Sequence, residues 1–117
     1  MALRVQTQVS GDVFILLCNG RIEFGDDALL REKIVNMLQG AQKIVLNLEG
    51  VDYIGSKGLG ILVELLVSAR NRGGELKLAS PHEHITELLR RTKLNTIFTV
   101  YDNSNDAVGA FGKQRVA

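Results

Sequence analysis

Val5, Thr7 and Val9 alternate with Gln6 and Gln8, the two-residue period of a strand with one face in water, and predict an edge strand. Gly11-Asp12 predicts a hairpin turn into a second strand over residues 13–18, where the unbroken run Val13-Phe14-Ile15-Leu16-Leu17-Cys18 reads as buried. Asn19-Gly20-Arg21 predicts its end. The period then becomes helical: Leu30, Ile34, Met37 and Leu38 share one face, with Asp26-Asp27 as the opening cap and Gly40 as the stop. Residues 43–48 predict a third strand, apolar and β-branched enough to be buried on both faces. Residues 57–72 form a second helix stopped by Gly73-Gly74, and residues 76–79 a fourth strand. Ser80-Pro81-His82-Glu83 offers an N-cap serine, a proline at the first helical position and a glutamate at the third. Ile85, Leu88 and Leu89 continue that helix; residues 97–101 give a fifth strand, and Asn103-Ser104 caps a last helix carrying Ala107, Val108 and Phe111.

The order β-β-α-β-α-β-α-β-α predicts an α/β fold: one domain over residues 1–117, with a mostly parallel central sheet of about five strands, an antiparallel N-terminal edge hairpin and about four helices. Composition narrows the function more than the fold. A net charge of +1 and 5% aromatic residues provide neither the charge nor the stacking surface that nucleic acids require. No apolar run approaches the ~18 residues of a membrane span, and residues 1–6 lack a secretory signal, which predicts a cytoplasmic protein. The single cysteine, Cys18, lies in an apolar run with no cation beside it, so a buried inert thiol is expected rather than a nucleophile. The edge strand near residues 5–9 leaves a homodimer open.

Chemistry concentrates at Gly55-Ser56-Lys57-Gly58-Leu59-Gly60, between an apolar strand and a long apolar helix. Glycine lets the chain turn sharply and leaves amides uncovered at a helix N-terminus, where anions and carboxylates are attracted. A nucleotide cradle is one reading. Gly50 and Gly55 have the phosphate-loop spacing, but Ser56-Lys57 reverses the required order of lysine and hydroxyl, and the dinucleotide fingerprint is unmet. A structural reading takes Gly58 and Gly60 as close-packing positions and Ser56 as the N-cap. A recognition reading sets a core stripe of Leu59, Leu62, Leu66 and Ala69 against an outer line of Lys57, Ile61, Glu64 and Ser68, with Ile61 exposed as a contact. Lys57 opposes the helix dipole, a broken local rule of the kind found at functional sites. Glu23 and Asp52 are expected beside the turn.

Elsewhere the sequence is quieter. His82 and His84, two apart on a helix, do not converge on a metal and are read as exposed first-turn residues. Arg90, Arg91 and Lys93 suit a helix C-terminus. No nucleophile–base set or metal-ligand spacing is recognisable, so no enzyme, metal or cofactor is expected.

The stretch Val51-Asp52-Tyr53-Ile54-Gly55-Ser56-Lys57-Gly58-Leu59-Gly60 resembles the switch of the STAS domain of bacterial anti-sigma-factor antagonists, apolar-x-x-Ile-Asp-Ser-Ser-Gly-Leu-Gly. Gly20-Arg21-Ile22-Glu23 is similar to that family's Gly-x-Leu/Ile-Asp loop, and Arg72-Gly73-Gly74-Glu75-Leu76 to its turn into the fourth strand; Ser80-Pro81 and Leu94 also fit. The resemblance implies the STAS fold and a partner-switching role: binding an anti-sigma factor that is also a serine kinase of the ATPase-like type, with phosphorylation of the switch serine abolishing that binding. It places the partner surface at Glu23, Asp52, Gly55, Ser56, Lys57, Gly58, Gly60, Ile61 and Glu64. Two departures stand out. Lys57 fills the phosphoacceptor position, leaving Ser56 as the alternative acceptor, and Gly55 replaces an aspartate. A STAS accessory or scaffold module of a signalling complex or transporter is the alternative reading, and a nucleotide-binding protein a distant one.

Overall fold

Gly11 takes φ +60°, open only to glycine at low cost, and the two-residue turn Gly11-Asp12 closes β1 (Arg4–Ser10) onto β2 (Val13–Ile22) with Ser10 facing Val13. The computed structural model of the chain describes residues 3–23, 27–38 and 43–113. After the hairpin follow α1 (Asp27–Leu38), β3 (Lys43–Ile54), α2 (Ser56–Asn71), β4 (Glu75–Ala79), α3 (Glu83–Arg91), a 3-10 turn (Leu94–Thr96), β5 (Val100–Tyr101) and α4 (Ser104–Lys113). The strands lie in the order β1-β2-β3-β4-β5, antiparallel at the β1–β2 edge and parallel elsewhere. This is the predicted α/β architecture.

Strand alternation sorts the core into two layers. Leu16, Cys18, Ile44, Leu46, Leu48, Leu76 and Leu78 face Leu30 of α1, Leu62, Leu65 and Leu66 of α2 and Ile85 and Leu89 of α3. The intervening residues Val13, Ile15, Val45 and Ala79 face Ala107 and Phe111 of α4 on the other side. Ile44 through Leu48 are all buried, as a strand covered on both faces requires. Cys18 is 1% exposed, and burial pushes its thiol up to about 12. The native protein is therefore expected to leave a thiol reagent at pH 8 unreacted and to release one equivalent on unfolding; fast native labelling would contradict the burial.

Several boundaries differ from the sequence reading, each for a local reason. β1 is exposed along most of its length rather than alternating; only Val5 is half-buried and Val9 is 61% exposed. Asn19-Gly20-Arg21 does not end β2. The register shifts there, Gly20 takes φ +111°, and pairing resumes through Ile22, so the expected breaker is a bulge. That extension gives β3 hydrogen-bonding partners out to Ile54, beyond the predicted end at residue 48. Ser80 is not an N-cap: at φ +56° its N–H donates to the Tyr101 carbonyl (2.9 Å) and its hydroxyl to the Asp102 carbonyl (3.1 Å), and α3 starts at Glu83 with His82 at the cap. Residues 97 and 98 do not pair as strand, because Lys93 turns left-handed (φ +63°) and the Ile97 and Phe98 amides donate to Leu94 instead; contact with β4 begins where the Thr99 carbonyl accepts the Leu78 N–H (3.0 Å). Asn103 does cap α4, its Oδ1 accepting the Asp106 N–H at 2.8 Å. Asp26, Gly40 and the side chains of Ile34, Met37 and Leu38 lie outside the described residues.

One core residue escaped the sequence reading. Lys77 on β4 is 0% exposed, and its Nζ has no hydrogen-bond partner among the described residues. It sits under α4, 4.9 Å from the Phe111 ring centroid and 5.5 Å from that of Tyr101. Burial, foremost, pushes its ammonium below the ordinary lysine range; Glu75 pulls the other way and Arg70 adds to the lowering.

Candidate functional site

The turn after β3 is built on the β2 extension. Gly55 N–H donates to the Ile22 carbonyl (3.0 Å), and the Gly55 carbonyl accepts the Leu59 N–H (2.9 Å) to start α2. Gly58 crosses directly over the same strand end: a Cβ on it would stand 2.2 Å from the Ile22 carbonyl oxygen and 3.0 Å from Ile54 Cγ2. Glycine at 58 is therefore a packing requirement. Gly60 is different. Among the described residues a Cβ there would meet nothing within 4 Å, so they give it no close-packing role of the kind expected.

The N-cap of α2 is Gly55, in extended conformation with no side-chain cap bond, so Ser56 is the first helical residue and not the cap it was expected to be. Ser56, Lys57, Gly60 and Glu64 are exposed, and no acidic residue stands in the first turn of α2. Ile61 is 7% exposed and packs in the core, which removes it as an exposed contact. The outer face of α2 instead carries Val67, 50% exposed, because the buried positions run Gly58, Ile61, Leu62, Leu65, Leu66, Ala69. Glu23 Cβ lies 3.6 Å from the place of a Gly55 Cβ, so this carboxylate does adjoin the turn. Asp52 is exposed on the β3 extension.

That extension outruns β4, whose pairing with β3 stops at Asn47–Ala79. Backbone carbonyls beyond that point need donors from elsewhere. The histidines supply them. His82 Nε2–H donates to the Glu49 carbonyl (2.7 Å) and His84 Nε2–H to the Asp52 carbonyl (2.8 Å), which assigns the Nε2 proton on both rings. Both are exposed as expected, but they converge, with ring centroids 5.8 Å apart, because His82 is an extended cap residue outside the helix. Among the described residues no three potential ligands gather to hold a metal. The strand that leads into the turn is thus held by Ile22 on one side and by α3 on the other.

A family model described as the STAS domain matches residues 4–107. The chain belongs to the STAS domain family. A Thermotoga neapolitana protein named as an anti-sigma factor antagonist is 32% identical over 99 residues, covering 83% of this chain and 88% of its own. The anti-sigma-B factor antagonist of Bacillus subtilis is 30% identical, covering 76% of this chain and 82% of its own. Among solved structures, a Thermotoga maritima protein named in the same way superposes with a TM-score of 0.83 at 30% identity, over 91% of this chain and 92% of that one. Among the described residues no helix is long and apolar enough to cross a membrane.

Two exposed side chains beside the turn were not singled out from the sequence. Tyr53 is 43% exposed, and the Arg21 guanidinium carbon lies 4.4 Å from its ring centroid. The signal was an aromatic residue in a stretch read as the approach to a turn. Only the shifted register, which faces Arg21 with Tyr53, makes them a pair.

Proposed function

We propose that this STAS protein is a cytoplasmic anti-sigma-factor antagonist that docks on its partner through the Gly55 turn and the start of α2. The observation that carries the reading is the placement of Ser56 and Lys57. Both stand exposed in the first turn of α2, on a turn clamped rigidly to Ile22. The names borne by the relatives support the class of partner. That partner is an anti-sigma factor that is also a serine kinase of the ATPase-like type.

Lys57 occupies the phosphoacceptor position of the family pattern and has no hydroxyl to phosphorylate. A phosphate would add about −1.5 to −2 charges to a packed contact surface and expel the partner. With lysine there that off-switch is missing, and the antagonist stays binding-competent. Incubation with the kinase and ATP tests this. The wild-type chain is expected to incorporate no phosphate, and Lys57→Ser to gain it. Phosphate on Ser56 of the wild type would sink the locked state, and that result is chemically open because the Ser56 hydroxyl is not used as a cap. The second departure can be tested in the same assay. Gly55 has φ −80° and ψ 173°, and its nearest neighbours to a Cβ lie at 3.4 Å, so Gly55→Asp fits without strain and restores a capping carboxylate.

A further inference from the structure

The docking reading leaves one built feature unused. Arg21 and Tyr53 are cross-strand partners at the far end of the β2–β3 extension. The guanidinium lies over the phenol ring, 4.4 Å from its centroid, where ring and cation attract each other. Arg21 Nε forms an ion pair with Glu23 Oε2 at 3.4 Å and makes no hydrogen bond among the described residues. The Arg21 side chain is 42% exposed and Tyr53 is 43% exposed. The guanidinium is therefore held in position by stacking on the ring and by the ion pair of its buried Nε with Glu23, while the side chain as a whole is 42% exposed to a partner. A fork of parallel N–H donors with a fixed plane matches a carboxylate, and stacked arginine with tyrosine is the composition of interface anchors.

The pair is continuous with the docking turn. Tyr53 Cε2 and Oη both lie 3.4 Å from the place of a Gly55 Cβ, so the ring runs along the turn. We propose that the Arg21–Tyr53 pair anchors the partner interface and takes a carboxylate side chain of the partner protein, bound by the guanidinium and flanked by the ring. The inference rests on the docking reading and adds the partner's chemistry to it: an acidic residue faces Arg21.

Calorimetry with the purified chain and the anti-sigma factors of its own organism provides the test, with thermal melts confirming that each variant is folded. The wild type binds one of them; Arg21→Glu and Tyr53→Ala each weaken that binding about thirtyfold, the scale of an anchor residue. Arg21→Lys keeps the charge but loses the fork and weakens it about tenfold, while Tyr53→Phe stays near wild type. Changing the facing Asp or Glu of the partner to Arg restores binding to Arg21→Glu, which a purely structural effect of residue 21 cannot do. If the wild type binds and Arg21→Glu stays within about twofold of it, the anchor is wrong and the docking reading stands. If Lys57→Glu abolishes binding while Arg21→Glu does not, docking is at the turn without the pair. Failure of the wild type to bind any anti-sigma factor overturns the docking reading and the anchor together.

Discussion

Gly58→Ala is expected to destabilise the fold by about 3 kcal/mol, the upper part of the usual overpacking range. The added methyl would stand 2.2 Å from the Ile22 carbonyl oxygen and 2.9 Å from its carbon. These are backbone atoms of a strand end that also accepts the Gly55 N–H, so no side chain can rotate away to make room. Either α2 lifts from the sheet, breaking that bond and loosening Leu62 and Leu66, or β2 shifts and disturbs Arg21 and Glu23. Urea denaturation measures the loss, and Gly60→Ala is the internal control. Among the described residues nothing lies within 4 Å of a Cβ at 60, so that change is expected to stabilise by up to ~1 kcal/mol through helix propensity alone. A loss below about 1 kcal/mol for Gly58→Ala would refute the close crossing on which the turn's geometry depends.

Lys77→Met is expected to raise stability by about 1–2 kcal/mol. Desolvating an ammonium costs several kcal/mol, and among the described residues no carboxylate or carbonyl bonds its Nζ. The Phe111 and Tyr101 rings return only part, about 2 kcal/mol for a desolvated cation–π contact. Methionine fills a similar volume under α4 without a charge to dehydrate. The pH dependence supplies a separate check on the same residue. Its folded pKa is lowered from 10.5, so between that lowered value and 10.5 the unfolded chain binds more protons than the native one. Wild-type stability attributable to this group therefore rises with pH across that window, and the advantage of Lys77→Met shrinks as pH approaches 10.5. The difference between the two proteins in urea melts at successive pH values measures it. A destabilised variant, or a difference that does not change with pH, would mean that the amine finds water or an acceptor in the native state.

How much could be read in advance depended on how local the determining interaction is. The β-α-β order, the two-faced burial of β3, the turn at Gly11 and the cap at Asn103 follow from periodicity and from contacts within a few residues. Boundaries failed where a distant strand competed with the local signal. Asn19-Gly20-Arg21 reads as a breaker, and only the presence of β3 as a partner turns it into a bulge. Ser80-Pro81 has the composition of a helix start, but the Tyr101 and Asp102 carbonyls claim Ser80 first. Ile61 was assigned to the outer face from helical spacing. The close crossing at Gly58 brings that side of α2 down onto the sheet, so Ile61 is buried and Val67 faces water.

By itself, the sequence determined the fold family, because it resides in residue patterns that neighbours along the chain enforce. It also puts a lysine, which has no hydroxyl to phosphorylate, directly before Gly58-Leu59-Gly60. The tertiary structure alone decided what the turn is made of in space. Gly58 is a packing necessity and Gly60 is not, two histidines hold the strand that leads into the turn, and Arg21 meets Tyr53. Each of these depends on a backbone group or ring brought from an element remote in sequence, and no periodicity along one chain encodes how close two such elements approach.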